Sequence, residues 1–165
     1  MVPAPSARLR FREMTSADLD DMAALLGDPR VMLYPATKSR DDGARWIARN
    51  EDNYATHGFD LWIMETHSGQ FVGDCGLTGQ DVDGVPMLEV GYHVRTVLQG
   101  QGCATEAAAA CRDFARTEID APELVAIIHP DNTASENVAQ KIGMTRREDD
   151  HGGLIAARTV LGMTL

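Results

Sequence analysis

Leu88-Glu89-Val90-Gly91-Tyr92-His93-Val94-Arg95-Thr96-Val97-Leu98-Gln99-Gly100-Gln101-Gly102-Cys103-Ala104-Thr105-Glu106 is the stretch on which the reading of this chain turns. Its first part completes an apolar-rich run, Met87 to Val94, with the length and composition of a buried strand. A glycine-bearing loop follows, Gln99 to Gly102, and the chain passes without a proline into an alanine-rich segment that predicts a helix from Ala104. A strand, a glycine loop and a helix N-terminus form a ready anion site. The first helical N–H groups have no intrahelical acceptor, and the macrodipole favours negative charge there. Gly100 and Gly102 let a ligand approach the backbone with no Cβ in the way. An ordinary strand-to-helix turn would look similar, so the spacing has to discriminate. The P-loop pattern G-x-x-x-x-G-K-[ST] is absent. The dinucleotide pattern G-x-G-x-x-G fails at Thr105, and Asp120 precedes the next strand where that fold wants an acid ending one. Gln99-x-x-Gly102-x-Ala104 is the spacing that remains.

The rest of the chain bounds the answer. Its 165 residues suit one domain, 1–165, with a sizeable core. Hydrophobic residues make up 44%, too many for a disordered chain. No apolar run approaches the ~18 residues of a membrane span. The opening Met-Val-Pro-Ala-Pro-Ser-Ala-Arg lacks a secretory apolar core, so a soluble cytoplasmic protein is expected. Cys75, Cys103 and Cys111 are an odd set without C-x-x-C, and the histidines show no H-x-x-x-H, so neither a disulfide framework nor a metal site is expected. The net charge of -10 opposes nucleic acid binding and is compatible with a cationic, amine-bearing partner or simply with solubility.

Read in order, Arg8 to Met14 alternates as a strand with Leu9 and Phe11 inward and arginines outward. Thr15-Ser16-Ala17-Asp18 resembles a capping box before a helix carrying Leu19, Met22, Ala23 and Leu26, stopped at Gly27. Ser39 with Asp41 and Asp42 starts a second helix to about Tyr54, with Ala44, Ile47 and Glu51 near one face, Trp46 beside it, and a weak point at Gly43. Phe59 to Glu65 and Gln70 to Leu77 predict a hairpin turning at Thr66 to Gly69. A loop, Thr78 to Pro86, precedes the central strand. The alanine-rich helix shows Ala107, Ala110, Cys111 and Phe114 on one face. Leu124 to His129 is a buried strand. Asn132 caps a helix bearing Val138, Ala139 and Ile142 and stopped at Gly143. Leu154 to Leu165 is a final β-rich segment. The order predicts a single α/β domain with a mixed sheet.

Four pieces in this order resemble one family: Arg8-Leu9-x-Phe11-Arg12-x-Met14-x-x-x-Asp18, Glu89-Val90-Gly91-Tyr92, Gln99 to Ala107, and Asn132-x-x-Ser135-x-x-Val138-x-x-Lys141-x-Gly143-Met144. They are similar to the GCN5-related N-acetyltransferases (GNAT), in particular their RimJ/RimL-like branch. The resemblance implies a mixed, mostly antiparallel sheet flanked by helices, with the central strands splayed apart. It implies acetyl-coenzyme A as cosubstrate and no metal. It also implies transfer of the acetyl group to a primary amine, on a protein N-terminus or a small molecule, by direct attack in a ternary complex. Tyr92, His93, Val94 and Arg95 would line the pantetheine arm. Gln99, Gly100, Gln101, Gly102, Cys103, Ala104 and Thr105 would form the pyrophosphate loop, and Asn132 and Asn137 would bond the coenzyme.

Glu89 is then the candidate base, or a structural strand-end carboxylate. Where the wider superfamily often carries a tyrosine acid, this chain has Ala139. Ser135 is the candidate substitute, or a helix-start serine bonding local backbone. Cys103 reads as a small-residue filler or, less in keeping with its surroundings, a nucleophile. Tyr34, Trp46 and Asp149 are candidates to hold the acceptor, or to pack. The chain could also be a non-catalytic acyl-coenzyme A sensor that keeps the fold, and a homodimer is compatible with it. No motif names the acceptor.

Overall fold

The computed structural model describes residues 1–32, 37–152 and 157–165. Strand β1, Leu9–Arg12, buries Leu9 and Phe11. It aligns Arg10 opposite Glu65 of β2, Leu61–Thr66. Both Arg10 and Arg12 donate to Glu65, at 3.0 and 2.8 Å, so the basic outer face is neutralised across the ladder. Arg12 also grips Asp18, whose carboxylate accepts the Thr15 N–H at 2.8 Å. That ties the strand to the start of α1, Leu19–Leu26.

Helix α2 runs Arg40–His57, three residues beyond the sequence expectation, because the first residue able to reverse the chain is Gly58, in left-handed conformation at φ 82°. Ser39 caps it, accepting from the Asp42 N–H at 3.1 Å. The buried face is Gly43, Ile47 and Asn50 rather than Ala44 and Glu51, which are exposed. Asn50 is a polar residue on an inward face because its amide is fully used: it donates to Trp46 O and accepts from the Leu61 N–H, docking α2 on β2. A Cβ on Gly43 would lie 3.6 Å from the Ala23 Cα of α1, an ordinary contact. Gly43→Ala is therefore expected to stabilise the fold by about 0.5–1 kcal/mol, measured by urea unfolding, since glycine is the poorer helix former and nothing at the interface requires it.

Strand β3, Phe71–Val82, runs five residues past its expected end at Leu77 and absorbs most of the anticipated loop. It pairs with β4, Val85–Val94, over its whole remaining length. The turn is the dipeptide Asp83-Gly84, with φ 49° and 83°, the conformations a tight hairpin turn demands. Helix α3, Cys103–Phe114, presents Cys103, Ala107, Ala108, Cys111 and Phe114 to the sheet, and its small residues allow close approach. Phe114 meets Trp62 edge-on at 5.0 Å between centroids, and Cys75 and Cys111 Sγ lie 3.4 Å apart in the same core. A short π-helical turn, Ala115–Ile119, ends α3 before β5, Glu123–Ile128. Helix α4, Thr133–Lys141, and strands β6, Thr145–Arg146, and β7, Thr159–Thr164, complete the chain. The short β6 is not signalled by the sequence.

The sheet order is β1-β2-β3-β4-β5-β7-β6, antiparallel except between β4 and β5. One core, with Trp62, Ala107 and Leu124, lies under α3 and α4; a second, with Met22, Ile47 and Ile63, lies under α1 and α2. This is the mixed, mostly antiparallel sheet with flanking helices that the sequence predicts. Its central irregularity fixes the site: β4 and β5 align at a single pair, Glu89 opposite Val125, and no register continues beyond it.

Candidate active site

The splay leaves main-chain groups of β4 facing a gap. The Arg95 N–H donates to Val72 O of β3 at 2.9 Å. In an antiparallel ladder the direction alternates, so the N–H groups of Tyr92 and Val94 point the other way, towards β5. Side chains alternate too. Glu89, Gly91 and His93 share the face under α2, while Val90, Tyr92 and Val94 turn towards α3 and α4.

Two cavities meet at this strand. The first, of about 520 Å³, is bounded by Glu89, Gly91 and His93 of β4, by Trp46 and Arg49 of α2, and by Thr78, Ile127 and Ser135. The second, of about 420 Å³, runs between β4 and the starts of α3 and α4. It is lined by Tyr92, His93 and Val94, by Gln99, Gly100 and Gly102, by Cys103, Ala104 and Thr105, and by Asn132, Ser135 and Asn137. Tyr92, His93, Asn132 and Ser135 border both.

The loop end of the second cavity exposes backbone N–H groups at a helix start. The first intrahelical bond of α3 runs from the Glu106 N–H to Gly102 O at 3.0 Å, so the N–H groups of Cys103, Ala104 and Thr105 lie outside the helix ladder. Gly102 caps the helix at φ 84°, a left-handed conformation that turns the loop into the helix axis. Arg8 holds this arrangement from behind. It donates to Gln101 O at 2.8 Å and to Glu106 at 2.7 Å, while Ser6 Oγ donates to the same carboxylate at 2.6 Å. The sequence offered Arg8 only as one more outward arginine of an alternating strand. Gln99 folds back to donate to Val94 O at 3.0 Å, closing the loop onto the strand.

Two residues expected at the coenzyme border neither cavity. Gln101 is exposed and Arg95 extends along β3, donating to Phe71 O at 3.2 Å. Asn132 caps α4, accepting from the Ser135 N–H at 3.2 Å. The Tyr92 hydroxyl donates to Ser135 O at 2.9 Å. Trp46 lies on the wall of the first cavity, with Arg49 and Lys38 stacked over its ring at 4.5 and 5.3 Å. Asp149 pairs with Arg146 at 3.0 Å and borders neither cavity; its neighbour Asp150 is the buried anchor, holding Arg158. Tyr34 lies outside the described residues.

The electrostatics single out two groups on β4. Burial pushes the Glu89 carboxyl up to about 7, against hydrogen bonds from Thr78 Oγ1 and the Ile127 N–H and the attraction of Arg158 and His93. His93 Nδ1 lies 2.7 Å from Asp74 Oδ1, and the other oxygen of that fully buried carboxylate accepts the Trp46 indole N–H at 3.2 Å. Burial disfavours a charged imidazole, but Asp74 outweighs it, and the His93 pKa lies above its ordinary value. Asp74 has no sequence signature. It is the fourth residue of an apolar strand, and only the pairing of β3 with β4, which sets it opposite His93, reveals its role. Among the described residues no cluster of His, Cys, Asp or Glu could hold a metal ion.

The site thus joins a strand-edge gap, a helix start with free backbone N–H groups and an acid beside the gap. Residues 8–145 match the family described as Acetyltransferase (GNAT) domain, and the chain belongs to that family. It is thus an acetyltransferase, and the enzymes of this family take their acetyl group from acetyl-coenzyme A. The chain is 37% identical over 140 residues to the uncharacterized protein YkkB of Bacillus subtilis (strain 168), spanning 83% of this chain and 81% of that one. Among solved structures it resembles RimL, a ribosomal L7/L12 alpha-N-protein acetyltransferase in complex with coenzyme A, with TM-score 0.81, 16% identity and coverage of 100% and 98%. It also resembles Mycobacterium smegmatis RimJ in complex with CoA-disulfide, with TM-score 0.74, 20% identity and coverage of 99% and 90%. These neighbours agree with the RimJ/RimL-like character of its motifs.

Proposed function

We propose that this chain is an acetyl-coenzyme A-dependent N-acetyltransferase whose acceptor is a primary amine, on a protein N-terminus or a small molecule, attacking the thioester directly in a ternary complex. The observation that carries this reading is the junction of the two cavities at Tyr92, His93 and Ser135. The loop N–H groups of the second cavity take the pyrophosphate. The arm follows β4, and the Tyr92 or Val94 N–H polarises the acetyl carbonyl. The amine enters through the first cavity, where Glu89 accepts its proton through water. Attack then forms the N–C bond, and collapse of the resulting adduct breaks the C–S bond. Ser135 Oγ, which also borders that junction, relays a proton to the sulfur.

Incubating the protein with acetyl-coenzyme A and a panel of amines and N-terminal peptides, and following free thiol, tests the reading. Amine-dependent thiol release supports it. Coenzyme binding without release on any amine favours a sensor that binds and does not turn over. Ser135→Ala is expected to lower kcat by ~100-fold while calorimetry still detects coenzyme A. A near-wild-type kcat would return Ser135 to its place as the first-turn residue that Asn132 caps.

A further inference from the structure

We propose that His93, positioned by Asp74, is a catalytic residue that carries the second proton of the transfer, from the amine nitrogen to the departing sulfur. This rests on the acetyl-transfer reading above. An ammonium acceptor must lose two protons. The first leaves before attack, to Glu89. Attack gives an adduct with a cationic nitrogen and an anionic oxygen. Its collapse restores the C=O bond, breaks the C–S bond and releases a thiolate. The nitrogen must shed one proton to become an amide, and the sulfur must gain one to become a thiol. A single group within reach of both atoms balances the step: Nε2 takes the proton from nitrogen and gives it to sulfur, and the imidazole ends as it began. Ser135 Oγ can pass that proton on but cannot supply a net one.

The geometry meets these requirements. His93 borders both cavities, whereas Glu89 borders only the acceptor side. The other titratable group at the junction, Tyr92, already donates its hydroxyl to Ser135 O, and burial pushes its pKa up. A carboxylate can only accept, so Asp74 fixes the neutral imidazole with its proton on Nδ1, 2.7 Å away, and Nε2 carries the lone pair. Nε2 has no hydrogen-bond partner among the described residues. Trp46 holds the far oxygen of Asp74, so the carboxylate cannot swing away. The charges that face His93 are Asp74 from β3, Glu89 from its own strand and Lys38 from the segment before α2; the two acids hold the imidazolium proton and Lys38 opposes them. A histidine that only packed against the arm would need none of this support.

The test compares the full-length wild type with His93→Gln and Asp74→Asn, using acetyl-coenzyme A and the amine on which the wild type releases thiol. His93→Gln is expected to lose ~100-fold in kcat. In Asp74→Asn, kcat falls and its rising limb moves to lower pH, because the carboxylate no longer holds the imidazolium proton. A purely structural Asp74 would change thermal stability and leave that limb in place. Nitrogen NMR of the wild type gives a second readout that needs no variant to fold. The expected result is a neutral form protonated on Nδ1 and a titration above the ordinary 6.5. A His93→Gln enzyme with wild-type kcat, or a neutral ring protonated on Nε2, overturns the role while leaving the transfer reading intact. A wild type that releases no thiol with any amine overturns the transfer reading and this role together.

Discussion

Gly102→Val is expected to abolish coenzyme A binding, with no heat detected in a calorimetric titration that saturates the wild type. Gly102 sits at φ 84°, where a β-branched residue is badly strained. Its Cβ would also come within 3.2 Å of Arg8 Nη2, and Arg8 cannot simply retreat, because Glu106 and Gln101 O hold it. The backbone must therefore leave the left-handed region, and the fan of N–H groups from Cys103 to Thr105 turns away from a common point. Several charge-assisted hydrogen bonds to phosphate are lost at once, each stronger than a neutral one. Gly100 is the internal control. It is also left-handed, at φ 73°, but nothing lies within 4 Å of its Cβ position. Gly100→Asn, a residue that tolerates this conformation, should keep much of the affinity that Gly102→Val loses. Unchanged affinity in Gly102→Val, with a normal thermal melt, would show that the coenzyme binds elsewhere.

Glu89→Gln is expected to lower kcat/KM by ~1,000-fold at neutral pH, in the middle of the range for acid–base groups. Gln keeps the size of the side chain and can still accept from Thr78 but cannot take a proton. With the carboxyl pushed up to about 7, the wild-type rate should rise with pH through that value as the carboxylate forms. The variant should lose Glu89's share of that rise, keeping only the part that His93 sets, and its deficit should shrink at high pH, where the amine arrives neutral. Stability supplies an independent check, with a definite sign. The folded carboxyl keeps its proton up to about 7, whereas the unfolded chain releases it near the ordinary 4.5. The folded state thus binds the extra proton in that window, and wild-type stability falls as pH rises through it. Glu89→Gln should flatten that fall. An equal kinetic loss at every pH would mark Glu89 as a group that positions the acceptor rather than one that takes its proton.

The elements that repeat a local rule were legible. Ser39 with Asp42, Asn132 before α4 and the alternation of Leu9 and Phe11 each state their structure within a few residues. The glycine loop was legible because its conformation is a property of Gly100 and Gly102 themselves. What the sequence hid depends on partners far along the chain. Asp83-Gly84 is a turn signal, but the polar residues before it disguised five residues of β3 as loop. Their strand identity comes from pairing with β4. Asn50 on the inner face of α2 contradicts the apolar period until the Leu61 N–H is placed beside it. Asp74 and His93 are nineteen residues apart in sequence and meet only through register. Arg8 reaches the loop across nearly a hundred positions.

The single rung between Glu89 and Val125 has a mechanical meaning. β1 to β4 and β5 to β7 share one rung of the backbone ladder, at Glu89, and are otherwise held together by the side-chain core under α3 and α4. Any flexing that widens or narrows the slot between the two halves pivots about Glu89, as blades pivot about the pin of a pair of shears. Displacement grows with distance from the pin: least at the carboxylate, larger at Tyr92 and His93, largest towards Gln99 and the phosphate loop. Widening the slot at the loop end would thus displace Glu89 least.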